Sequence, residues 1–82
     1  MKKIYESPLN GWGECAERIH IYELESEEES WNLVEMSHKE LQEYFGMYDP
    51  GFDVPPGAMY SIYNFSIERT HAIVSEIVAF NV

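Results

Sequence analysis

Alternation of apolar and polar positions marks two stretches of this chain as strands. From Ala16 to Leu24, Ile19 and Ile21 fall on one side while His20, Tyr22 and Leu24 fall on the other. A period of two with β-branched members suits a half-buried strand, whose successive side chains point to opposite faces. From Met59 to Ile67 the same rhythm places Met59, Ser61, Tyr63, Phe65 and Ile67 together, with Tyr60 and Ile62 opposite. Residues 71–80 are rich in isoleucine and valine. Ile73, Val74, Ile77 and Val78 also fit a helical stripe, but the density of β-branched side chains favours a strand paired with 59–67 across a turn at Glu68-Arg69-Thr70. Residues 2–6 read as a short first strand. Residues 31–36 read as a further strand, hairpinned to 17–24 through a solvated turn at Glu27-Glu28-Glu29, with the start of a helix as the alternative.

The helix signal is sharper. Ser37-His38-Lys39-Glu40 has capping-box spacing, in which a serine hydroxyl and a glutamate three residues later each accept a backbone N–H that the first turn would otherwise leave unpaired. It predicts a helix over 38–45, with Leu41, Tyr44 and Phe45 on its inner face and Lys39 and Glu43 four apart outside. Gly46 is placed to end it in a left-handed cap. Ser7 to Gly13 and the proline-containing run from Asp49 to Gly57 read as loops. The expected fold class is therefore α+β: a small, mostly antiparallel sheet of about five strands, in chain order β-β-β-α-β-β, with one helix near 38–45. All 82 residues belong to a single domain, 1–82, with no internal repeat or linker.

Charge changes the picture more than size does. Fifteen Asp and Glu oppose five Lys and Arg, a net charge of −10. Residues 14–43 alone hold ten glutamates against Arg18 and Lys39. Such a chain lacks the basic cluster that displaces counterions from nucleic-acid phosphates, and for the same reason is unsuited to anionic membrane surfaces. It suits a cationic partner. No apolar run approaches the ~18 residues that span a bilayer, and the opening Met-Lys-Lys-Ile-Tyr-Glu lacks the apolar stretch of a signal peptide. The lone Cys15 cannot form an internal disulfide, so the expected location is cytoplasmic.

Residue types that carry chemistry are present but not in diagnostic spacings. His20, His38 and His71 lie far apart in sequence, unlike the paired ligands of a zinc site, although Cys15, His20, His71 and a glutamate form a conceivable set. Glu14 and Glu17 beside Cys15 disfavour the thiolate that a nucleophile needs. Asp49 and Asp53 bracket a Pro-Gly turn and lack the ligand pattern of a calcium loop, so they read as turn caps. The expectation is a non-enzyme without cofactor or metal.

The glutamates carry the strongest functional signal. If the strand ending near Leu24 extends further, Glu23, Glu25 and Glu27 form a row on one face about 6.5–7 Å apart, and Glu28, Glu29, Glu35, Glu40 and Glu43 extend the field. Such a row can imitate a line of phosphates. Trp12, between two glycines, and Trp31 are candidate aromatic anchors. In size and charge the chain resembles the small acidic inhibitors of phages and plasmids and the immunity proteins that block toxic nucleases. The resemblance implies an inhibitor that occupies the basic surface of a nucleic-acid-handling protein, and no residue role is carried over with it. The competing expectation is a structural or accessory subunit whose apolar C-terminal segment packs into a homo-oligomer. A third is a small metal-dependent enzyme.

Overall fold

The alternating segments pair as their rhythm requires. In the computed structural model, which describes residues 1–12, 15–50 and 54–81, the elements are β1 (Lys2–Glu6), β2 (Asn10–Trp12), β3 (Cys15–Glu23), α1 (Glu27–Val34), α2 (His38–Phe45), β4 (Met59–Ile67) and β5 (His71–Phe80). The sheet is antiparallel with order β1-β3-β5-β4, and β2 pairs with β3 on the edge that β1 also uses. β3 and β5 stay in register for nine residues, from Cys15 opposite Ala79 to Glu23 opposite His71. β4 and β5 form the expected hairpin, closed by the Glu68 N–H donating to the His71 carbonyl at 2.8 Å.

The α+β class and the five-stranded sheet stand, but residues 31–36 are not a strand. They belong to α1 and the turn after it, and the third strand is the short β2 in the segment that reads as a loop. Two physical reasons favour the helix. Ser26 caps it, its hydroxyl accepting the Glu29 N–H, and Glu27, Glu28 and Glu29 place negative charge at the positive end of the helix dipole. A hairpin with β3 is also impossible, because β1 and β2 fill one edge of β3 and β5 fills the other. The Glu27-Glu28-Glu29 run is thus a helix start and not a turn. α2 matches its expected limits, with both capping-box hydrogen bonds present and Gly46 at φ 68°.

Both helices lie on the sheet face that carries Tyr22 of β3 with Leu24 just after it, Ala72 and Val74 of β5, and Tyr63, Phe65 and Ile67 of β4. Leu33 of α1 and Leu41 of α2 close that core. Phe45 packs edge-on against Tyr22 with ring centres 5.1 Å apart and tilts against Phe65 at 5.2 Å. Asp49 ties α2 to the sheet: its carboxylate accepts the Tyr63 N–H at 2.8 Å, His38 Nε2–H at 2.8 Å and a Gln42 amide hydrogen at 3.3 Å. Its described side-chain partners lie in α2 and β4 and not in the turn that it is expected to cap; Asp53 lies outside the described residues.

The helices do not reach the far end of this face, where a polar cluster takes over. His20 and Glu76 are buried there, with His20 Nε2 to Glu76 Oε1 at 2.8 Å. Ser61 donates to the other Glu76 oxygen at 3.0 Å, and Arg18 stands 3.7 Å away. On the opposite side of the ring, Lys3 Nζ lies 3.1 Å from His20 Nδ1 and 2.8 Å from Glu6. Lysine can only donate, so Nδ1 accepts and Nε2–H donates to Glu76. The Glu6 carboxylate, hydrogen-bonded to it, raises the pKa of Lys3, and the same bond lowers that of Glu6.

Two stability outcomes follow from this packing. Leu33→Ala empties a fully buried site and should cost about 2–5 kcal/mol in urea unfolding. Glu76→Ala strands His20 and Arg18 and should cost about 3–5 kcal/mol, whereas the pair His20→Leu with Glu76→Met should recover most of that loss. If the double variant proved no more stable than Glu76→Ala, the cluster would be a packing requirement and not a set of mutually compensating charges.

Candidate functional site

The Ser26 cap fixes how α1 presents its side chains. Ser30 and Leu33 turn inward, and the Ser30 hydroxyl donates to the Glu68 carbonyl at 2.7 Å, pinning the helix to the β4–β5 turn. The outer side of the helix then exposes Glu27, Glu28, Trp31, Asn32 and Val34, with Glu35 at the cap. Trp31 is 65% exposed and Val34 56%. Glu27 and Glu28 precede Trp31 by four and three residues and Glu35 follows it by four, so all three stand one helical turn from the indole.

An indentation lies on either side of this ridge. Between α1 and α2 runs an open groove of about 570 Å³, whose acidic lining is Glu25, Glu28, Glu29, Glu35 and Glu40, with Tyr44 at its wall. On the other side, Trp31, Val34, Ile67 and Arg69 border a smaller and more apolar hollow of about 270 Å³. Arg69 there pairs with Glu27 at 3.1 Å, both well exposed.

Within the acidic groove, Glu29 differs from the rest. Burial pushes its carboxyl up, but the Tyr44 hydroxyl, the Glu25 N–H and the Met1 ammonium outweigh burial and hold it below the usual carboxylate range. The same hydrogen bond from the other side pushes the Tyr44 hydroxyl up to about 12. Glu29 and Tyr44 therefore form a strut between the helices, while Glu25, Glu28, Glu35 and Glu40 remain exposed. Glu35 stands at the C-terminal cap of α1 and Glu43 in the last turn of α2, and neither helix has a basic residue in that turn. Acids there oppose the helix dipole, each at a cost of about 0.3–1 kcal/mol. Their placement does not serve helix stability.

The structure rearranges the expected site. The strand row of Glu23, Glu25 and Glu27 does not form: β3 ends at Glu23, and Glu27 begins a helix. Glu23 lies on the opposite face of the sheet, across from Lys2 and His71. Glu25, Glu28, Glu29 and Glu35 are instead gathered by the two helices, Glu27 sits on the other flank of α1, and Glu40 joins the groove from α2. Trp31 lies at the centre of this arrangement; the side chains of Trp12 and Cys15 lie outside the described residues. The signal for the groove was available in Ser26-Glu27-Glu28-Glu29, which repeats the spacing of Ser37 to Glu40. His20 and His71 cannot share an ion, because they occupy opposite faces of the sheet. Among the described residues no three His, Cys, Asp or Glu are grouped as a metal site. None of the helices described is long and apolar enough to cross a membrane.

Comparison with protein-family models, curated proteins and solved structures finds no match for this chain.

The strut has a pH signature. Tyr44 holds its proton more tightly folded than unfolded, so its contribution is complete below about pH 10 and is lost as pH rises toward 12. Glu29 contributes above the ordinary glutamate pKa and loses its share as pH falls through its lowered value. In an ultraviolet titration one tyrosine should ionise near pH 12, and Tyr44→Phe should abolish that step and destabilise by about 1 kcal/mol at neutral pH. An unchanged titration in the variant would show that Tyr44 does not donate to Glu29 in solution.

Proposed function

We propose that this chain is an acidic protein-binding inhibitor that presents α1 to the basic surface of a nucleic-acid-handling protein and blocks it. The observation that carries the reading is Trp31: a 65% exposed indole, ringed one turn away by Glu27, Glu28 and Glu35 and flanked by the acidic groove. A large aromatic anchor within a charged rim is the anatomy of an interface centre, where rings supply most of the affinity and charges supply attraction and orientation. The glutamates gathered by α1 and α2 would stand where phosphates lie on the target, so that mimicry of nucleic acid resides in a helical cluster and not in a row along a strand. Acids at helix C-terminal positions, where they weaken the helices, support the same reading.

The test is capture of the target at low salt, elution on a salt gradient, and kinetics on the captured protein. The expected target is a basic, nucleic-acid-binding protein that loses its nucleic acid when bound. Trp31→Ala should weaken binding by about 2–4 kcal/mol, mostly through faster dissociation. Reversing Glu25, Glu28 and Glu35 to lysine together should slow association about tenfold or more and flatten its salt dependence. Glu35→Lys alone should stabilise the fold by about 0.3–1 kcal/mol while weakening the complex. Binding indifferent to both Trp31 and the glutamates would overturn the proposal.

A further inference from the structure

The face of the sheet away from the helices is covered by nothing in the chain's described residues. Alternation places Ile19 and Ile21 of β3, Ile62 of β4 and Ile73 and Ile77 of β5 there, with Tyr5 of β1 opposite Ile21. Ile21 faces Ile73 across one strand pair, and Ile77 faces Ile62 across the next. All of these side chains are partly or largely exposed to water. Along β3 the two isoleucines are bracketed by Glu17 and Glu23, so an apolar centre has a polar rim. The molecule is correspondingly thin, 42 × 25 × 14 Å between Cα atoms. It exposes 5627 Å², about a tenth more than the roughly 5,100 Å² usual for a monomer of this mass.

We infer that this face is the interface of a symmetric homodimer, in which two copies pack sheet against sheet with the helical layers outermost. Three observations select a second copy as the occupant. The first is area. Strands of nine residues run about 30 Å and the three long strands span about 14 Å, so with part of β1 the face measures about 500 Å² per copy. Two copies bury about 1,000 Å², the lower bound for a specific interface. The second is shape and chemistry. The isoleucines surround a short polar row of Ser75 and Asn64, with Ser66 beside Ile73, and a sheet face of such side chains is complementary to a second copy of itself, two faces packing at the small angle of a β-sandwich. The third is charge. Glu25, Glu28, Glu35, Glu40 and Glu43 all lie on the helical layer, which repels its own kind. Packed sheet to sheet, the two helical layers stand about 30 Å apart, several Debye lengths at physiological salt. The open face carries Glu17 and Glu23 at its rim, the latter opposite Lys2 and His71, and is therefore the less acidic surface by which this chain can meet itself.

The dimer leaves α1 and its groove outward on both copies, and it does not depend on what they bind. The test is sedimentation of the full chain over a concentration series up to millimolar, for the wild type, Ile73→Lys and Trp31→Ala. The expected result is a monomer–dimer equilibrium that Ile73→Lys weakens about a hundredfold or more and Trp31→Ala leaves unchanged. Circular dichroism checks that the lysine variant folds. If it does not, the paired change Ile21→Thr with Ile73→Thr, which keeps strand propensity, replaces it with the same expectation. A wild type that stays monomeric throughout, or a dimer that survives the isoleucine changes, overturns the inference.

Discussion

Two helices of eight residues cannot cover a sheet whose long strands run nine or ten. Each helix is about 12 Å long, against about 30 Å for β3, β4 and β5. Most of the remaining architecture follows from this shortfall. The apolar core is confined to the end of one face, where Leu33 and Leu41 meet Tyr22, Leu24, Ala72 and Val74. Beyond the helices the same face is sealed by His20, Glu76, Ser61 and Arg18, whose hydrogen bonds and charges compensate one another. The opposite face has no cover within the described residues. The nine-residue pairing of β3 with β5 carries the burden that a larger core would otherwise bear.

The shortfall also sorts the chemistry by layer. Polar and charged residues that cannot enter so small a core collect on the helices, and the helices concentrate them around one groove and one exposed indole. The β-branched residues that give the strands their stability line both faces, so the uncovered face keeps its isoleucines by the same logic that builds the sheet. The glutamates of the groove and the isoleucines of the open face are thus separated by the thickness of the domain. A molecule built this way has two surfaces of different character.

Much of the fold was legible because strand alternation and the second capping box are local signals. β3, β4, β5, α2 and the left-handed Gly46 follow from them directly. Residues 31–36 misled because Trp31, Leu33, Val34 and Met36 are apolar enough for a strand, and because three consecutive glutamates suggest a turn more readily than a helix start. Dipole and cap decide the matter: acids in a first turn are stabilising, and Ser26 supplies the hydroxyl. β2 was hidden because three residues containing glycine and asparagine carry no periodicity. The pairing of His20 with Glu76 spans 56 residues, and only the register of β3 on β5 creates it. The acidic groove shares this origin: its glutamates are visible in the sequence, but their grouping depends on α1 being a helix packed beside α2.

The central proposal is that the helical layer is the surface for a cationic partner. A residue-resolved chemical-shift map of the full chain, titrated with a short arginine-rich peptide at low salt, tests it most directly. The account predicts that shifts cluster on α1 and α2 and at the Trp31 indole, fade with added salt, and leave the methyl groups of Ile19, Ile21, Ile73 and Ile77 undisturbed. Shifts centred on those isoleucines, or spread evenly over every exposed carboxylate, would contradict it.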